Sequence, residues 1–116
     1  MTGPGPRPGA RPAPLIDSHC HLDHLDLAPY DGAVRGALDA ARAAGVRGFL
    51  CINVDLATAD AMRAAVGTPD DVWFAMGQHP DGVVAVLEAA ELDRRLREPR
   101  VVAVGETGLD YHRLEE

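Results

Sequence analysis

Val46-Arg47-Gly48-Phe49-Leu50-Cys51-Ile52-Asn53-Val54 reads as a β-strand, rich in β-branched and aromatic residues and apolar over most of its length. A strand with apolar residues on both faces is covered on both faces, the condition of strands in a parallel sheet packed among helices. The same character recurs on either side of it. Val72–Met76 (VWFAM) is a continuous apolar run, Arg100–Gly105 is mostly valine, and Leu15-Ile16 is a short strand leading into a cluster of histidines. Helical patterns fill the intervals. Over Asp31–Ala44, Val34, Leu38, Ala41 and Ala44 recur at helical spacing, and Gly45 supplies a stop. Asp55 is placed to cap a second helix running to about Val66, which Gly67-Thr68-Pro69 breaks. A third helix is expected from Val83 to Arg97, with Val83, Val86, Leu87, Ala90 and Leu96 on or near one stripe and Pro99 close behind.

The order is strand, helix, strand, helix, strand, helix, strand, each unit taking about thirty residues, the size of a βαβ repeat. An open doubly wound sheet and a (β/α)₈ TIM-type barrel both fit that order. His19 and His21, Asn53 and Asp55, His79, and Glu106 and Asp110 each fall just past the C-terminal end of a successive strand. In a barrel those ends form the one face on which sites are built, whereas an open sheet concentrates its ligands at a switch point. Polar groups after all four strands therefore favour the barrel. A complete barrel takes about 250 residues, so these 116 are expected to form a barrel truncated to about its first four βα units. Residues 1–14, rich in Pro and Gly, are expected to be a loosely extended tail preceding the incomplete barrel domain of residues 15–116.

Composition narrows the chemistry. The formal net charge of −7 does not describe a nucleic-acid clamp, although bound divalent metals reverse a local field and leave phosphate substrates open. All eleven basic residues are Arg. Schiff-base catalysis and a carboxylated-lysine metal bridge are thereby excluded within this chain. Two cysteines, Cys20 and Cys51, are too few for a disulfide scaffold. No stretch is apolar enough to span a membrane, and the N-terminal residues lack a signal-type apolar core. A cytoplasmic protein with reduced thiols is expected.

Alternation along a strand sends His19 and His21 to one side and Cys20 to the other. Two imidazoles so spaced can bind one divalent ion through neutral nitrogens. Asp17 should share their side, either orienting an imidazole or ligating weakly; Cys20 should pack as a small buried residue. Glu106 follows Val102 and Val104 on one side of the fourth strand, so its carboxylate is expected at the barrel mouth. No basic partner stands near it in sequence, and a carboxylate at a buried edge is costly unless paired or metal-bound.

Asp17–Asp23 (DSHCHLD), Gly77–Pro80 (GQHP) and Ala103–Asp110 (AVGETGLD), in this order at strand ends, resemble the TatD family of metal-dependent deoxyribonucleases and hydrolases. The resemblance covers residues 15–116. It implies a (β/α)₈ barrel whose two divalent metals, Mg, Mn or Zn, hydrolyse phosphodiester bonds in DNA or a related substrate. By position, His19 and His21 would bind one metal, Glu106 would bridge to the second, and His79 would contact substrate phosphate. Asp110 and Arg113 match motif positions too, with structural turn roles and substrate contact both open. The family pattern also has two further histidines and a catalytic aspartate after later strands. None of those segments occurs in this sequence, so no catalytic residue is assigned. Two other readings stand beside this one. Another His-x-His barrel, an amidohydrolase or a phosphoesterase of the polymerase-and-histidinol-phosphatase type, fits the histidines but suits the Glu106 segment less well. An inactive half-barrel is the third, its apolar inner face and unpaired strand edges inviting self-association.

Overall fold

Four strands form one parallel sheet in sequence order: β1 (Leu15–Cys20), β2 (Val46–Ile52), β3 (Val72–Met76) and β4 (Val101–Val104). The coordinates are a computed structural model, which describes residues 13–82 and 88–109 together with Gly3, Gly5 and Gly9. Phe49 to Ile52 of β2 pair in unbroken register with Val72 to Ala75 of β3, and Met76 pairs with Val104 of β4. Three helices cross between the strands: α1 (Val34–Ala43), α2 (Ala59–Val66) and α3 (Ala89–Leu96). Consecutive parallel strands joined by helices are βαβ units, and nothing in their order reverses direction, as an open doubly wound sheet would.

The core lies between the helices and one face of the sheet. Val34 and Leu38 of α1 and Ala59, Met62 and Val66 of α2 pack with Phe49, Cys51, Val72, Phe74 and Met76. Removing a large apolar side chain of this kind from water contributes roughly 1.5–3 kcal/mol. α3 adds Leu92 and Leu96 to the edge of that cluster. It is also tied to α2 by Arg95, a buried guanidinium held by Asp60, Glu91 and Glu98. Three carboxylates around one Arg satisfy the donors that its burial would otherwise strand. The opposite face of the sheet carries Ile16, Trp73, Val102 and Val104, all exposed.

Several boundaries differ from the sequence expectation. β1 does not stop at Ile16 but continues through His19 to Cys20. The first helix starts at Val34 rather than Asp31, because Asp31 and Gly32 both take positive φ in a turn that follows a 3-10 segment over Ala28–Tyr30. Asp55 caps as expected, its carboxylate accepting from the Ala57 N–H at 2.9 Å, but the first turn over Leu56–Thr58 is 3-10. Glu88 is extended, so the third helix is not continuous from Val83; it begins at Ala89. Val83, Val86 and Leu87 lie outside the described residues, as do Asp110, Arg113 and most of the N-terminal tail. Among the described residues, no helix is long and apolar enough to cross a membrane.

Candidate metal centre

His19 and His21 stand at the C-terminal end of β1, and Glu106 stands two residues beyond β4. These strands are the two edges of the sheet. In a flat sheet, three strand spacings would separate them by roughly 14 Å. Yet His19 Nε2 and Glu106 Oε1 lie 3.2 Å apart. The sheet is therefore curled about its strand direction, and the two ends lean together over its C-terminal rim. One potential ligand atom from each of His19, His21 and Glu106 lies within 4.8 Å of the others. Atoms bound to one divalent ion at about 2.1 Å sit roughly 3–4.2 Å apart, so small side-chain rotations close this triad on a metal.

The hydrogen bonding of His21 fits that use. Its Nδ1 lies 3.1 Å from the Ile52 carbonyl. A carbonyl only accepts, so Nδ1 carries the proton and Nε2 keeps its lone pair for a cation. A backbone carbonyl behind a ligating imidazole fixes both its tautomer and its direction. Glu106 is positioned by its own backbone: its N–H donates to the Asn53 carbonyl at 3.2 Å, and the Gly105 N–H donates to Met76 at 3.0 Å. Two imidazoles and a carboxylate suit a first-row divalent ion or magnesium.

His21, His24, Val54, Asp55, Thr58, His79, Asp81 and Glu106 line a cleft of about 580 Å³ over this rim. His79 Nδ1 accepts from the Asp81 N–H at 3.1 Å, which leaves the proton on Nε2. Its own backbone N–H donates to the Val54 carbonyl at 2.9 Å. The described lining includes three carboxylates, Asp55, Asp81 and Glu106, and no Arg.

Asp17 departs from its expected place. It does not join the imidazoles: Oδ1 accepts from the His19 backbone N–H at 3.2 Å, and the side chain lines a separate hollow with Cys20, Leu38 and Phe49. The cause is a register shift between Asp17 and Cys20, where β1 gains one residue on β2 and simple alternation fails. Cys20 behaves as expected, half-buried against the core with its thiol donating to the Leu50 carbonyl at 3.3 Å. Burial, aided by the Asp17 charge, pushes that thiol up to about 12.

Two residues escaped the sequence reading. His24 stacks on His21 with ring centroids 5.8 Å apart, and its Nε2 lies 3.3 Å from Asp23. A third histidine three positions after His21 was the available signal. Gly77 abuts the backbone of Gly105 and Glu106 so closely that a Cβ there would sit 2.6 Å from the Gly105 carbonyl carbon. Sequence spacing gives no hint of that approach.

A curled parallel sheet with an imidazole–carboxylate triad at the C-terminal ends of its strands is the arrangement of a βα-barrel that carries a candidate metal site. The chain belongs to the TatD related DNase family, which matches residues 16–116. It is 41% identical over 98 residues to the uncharacterized metal-dependent hydrolase YcfH of Escherichia coli K12, covering 84% of this chain and 37% of that protein. It is 39% identical over 93 residues to the 3'-5' ssDNA/RNA exonuclease TatD of Edwardsiella piscicida, covering 78% and 36%. The crystal structure of YJJV, a TatD homologue from Escherichia coli K12, superposes with a TM-score of 0.68 at 28% identity, covering 83% of this chain and 38% of that one. The chain thus spans well under half the length of the relatives it matches.

Proposed function

We propose that the protein to which these residues belong hydrolyses phosphodiester bonds in single-stranded nucleic acid, using divalent metal held in part by His19, His21 and Glu106. The observation that carries this is the convergence of those three ligand atoms from opposite edges of the sheet. The substrate class follows the relatives named as 3'-5' ssDNA/RNA exonucleases. A divalent ion at this position supplies Lewis acidity toward a phosphoryl group and makes water acidic enough to attack near neutral pH. The chain's own residues do the rest. Ile52 holds His21 in the tautomer that leaves its Nε2 lone pair free to hold an ion. Glu106 supplies a carboxylate that would also hold a second ion. His79, with its proton on Nε2, donates to a phosphate oxygen in the cleft. Carboxylates dominate the charged lining, so a phosphodiester is repelled until cations occupy the site, which ties substrate binding to metal loading.

We further take residues 15–116 to be part of one barrel domain behind a solvated tail. The compartment is the cytoplasm, which suits the two free thiols. The 116 residues alone self-associate and have little activity. Titration with Mn²⁺ tests the site: His21→Ala should lose the bound equivalent that Cys20→Ser keeps. In the longer protein, His21→Ala should abolish metal-dependent digestion of 3′-labelled single-stranded DNA. Full metal stoichiometry in His21→Ala would refute the ligand assignment.

A further inference from the structure

We infer, resting on the hydrolase reading above, that His24 is a stacking platform for the nucleobase of a nucleotide whose phosphate is held at the triad. The His24 ring lies over that of His21, with centroids 5.8 Å apart and planes 20° from parallel, within the range of offset aromatic stacks. One face of His24 is thereby taken, while the side chain as a whole stays 53% exposed. Both rings line the cleft together with Val54, Asp55 and Thr58, which follow β2, and with His79, which follows β3. His24 thus belongs to the middle of the rim and not to the free edge of β1. Its ring is set before any ligand arrives. The His24 backbone N–H donates to the His21 carbonyl at 3.0 Å, closing a tight turn, and Nε2 lies 3.3 Å from Oδ2 of Asp23, whose own side chain is only 14% exposed.

Chemistry separates His24 from the other groups of the cleft. A carboxylate only accepts, so the Nε2–H of His24 goes to Asp23, and in the singly protonated ring Nδ1 is left as an acceptor. Such a nitrogen offers nothing to a phosphate oxygen, which is an acceptor too. Its ring face does suit a base, because proteins that take single strands lay unpaired bases on aromatic planes, histidine included. Among the described lining residues there is no Phe, Tyr or Trp, so imidazoles supply the ring faces of this cleft. His21 lies beneath His24 and is given to the metal, and His79 is given to phosphate through Nε2, which leaves His24. In a nucleotide one sugar separates base from phosphate; here one ring, His21, separates His24 from the ligand atoms of the triad. Every base has a π-face, so a platform of this kind accepts purines and pyrimidines alike.

Calorimetric titration of the longer protein with deoxyadenosine 5′-phosphate and with deoxyribose 5-phosphate, each with and without Mn²⁺, tests this. The two ligands differ by the base, and neither has a phosphodiester bond to break. With Mn²⁺, the wild type should bind the nucleotide about tenfold more tightly than the sugar phosphate. His24→Ala should bring that ratio down to about one while deoxyribose 5-phosphate binds as before. His24→Phe, which restores a ring face without ring nitrogens, should recover the ratio; if it does not fold, His24→Tyr serves the same purpose. A wild-type ratio of about one, a ratio kept in His24→Ala, or a ratio lost in His24→Phe would each overturn the platform. In those cases Mn²⁺-dependent binding of deoxyribose 5-phosphate leaves the hydrolase reading standing. Failure of both ligands to bind in a Mn²⁺-dependent way would overturn the two together.

Discussion

Replacing Gly77 by Ala should weaken metal binding although Gly77 supplies no ligand. The added Cβ would lie 2.6 Å from the carbonyl carbon of Gly105, 2.8 Å from its oxygen, and closer still to the carbonyl oxygen of Glu106. These neighbours are backbone, with no flexible side-chain end to swing away. Ordinary contact begins near 3.4 Å, so the Gly105–Glu106 segment must retreat by about 0.8 Å or more. Overpacking of this kind costs about 1–3 kcal/mol. The retreat also stretches two hydrogen bonds, Gly105 N–H to Met76 and Glu106 N–H to Asn53, each with a net value of about 1 kcal/mol. A carboxylate displaced by that distance no longer lies with both imidazoles, and losing one of three ligand contacts should raise the Mn²⁺ dissociation constant at least about tenfold, equivalent to about 1.4 kcal/mol. The assays are calorimetric titration with Mn²⁺ and urea unfolding of the metal-free chain. Gly105→Ala is the control, because a Cβ there meets nothing within 4 Å. Equal metal affinity and equal stability in Gly77→Ala and wild type would refute the reasoning.

Two further outcomes follow from charge and burial. Arg42 grips Asp71 with two 2.7 Å bonds and holds its carboxyl below the ordinary range. A depressed folded-state value contributes stability above the unfolded value near 3.9 and loses it as pH falls through the folded one. Asp71→Asn should therefore cost about 1 kcal/mol at neutral pH, the pair being partly solvated. The two urea midpoints should converge in acid well below pH 4; a constant gap there would count against the pair. Burial raises Cys20 to about 12 and Cys51 to about 11, so at pH 8 both thiols should react with iodoacetamide at least about a hundredfold more slowly in the folded chain than in urea. Equal rates would show that neither thiol is shielded.

Where the sequence succeeded, strong local signals agreed with tertiary context. Val72–Met76 has five apolar residues bounded by turns, and β3 occupies those same residues. The convergence of His19, His21 and Glu106 could be anticipated because each stands at a strand end, where the parallel architecture gathers side chains on one rim. The failures share a different cause. Asp17 was misplaced because one extra residue in β1 inverts alternation, and that shift belongs to the β1–β2 pair rather than to β1 alone. Periodicity carried the third helix back to Val83, although Glu88 takes an extended backbone that no apolar spacing records. Gly77 stood in the sequence only as the first residue of the GQHP motif; its actual constraint is a backbone 28 positions away.

That last point bears on how the triad is held. Its side chains come from β1 and the segment after β4, while the two middle strands contribute none, yet the groups that position them sit at the ends of β2 and β3. Ile52 aims His21, Asn53 and Met76 anchor the Gly105–Glu106 backbone, and Val54 anchors His79. Asn53 is buried and hydrogen-bonded to its surroundings through backbone and side chain, its Nδ2 reaching the Asp55 carbonyl at 2.9 Å. The middle strands are deeply buried, with Cys51, Val72, Phe74 and Met76 almost wholly excluded from water. Carbonyls at the centre thus hold candidate ligands from the edge strands, so the triad keeps its geometry only while the curl of the sheet persists. Metal affinity and the stability of the β2–β3 pair should therefore fall together in core variants that never touch the site.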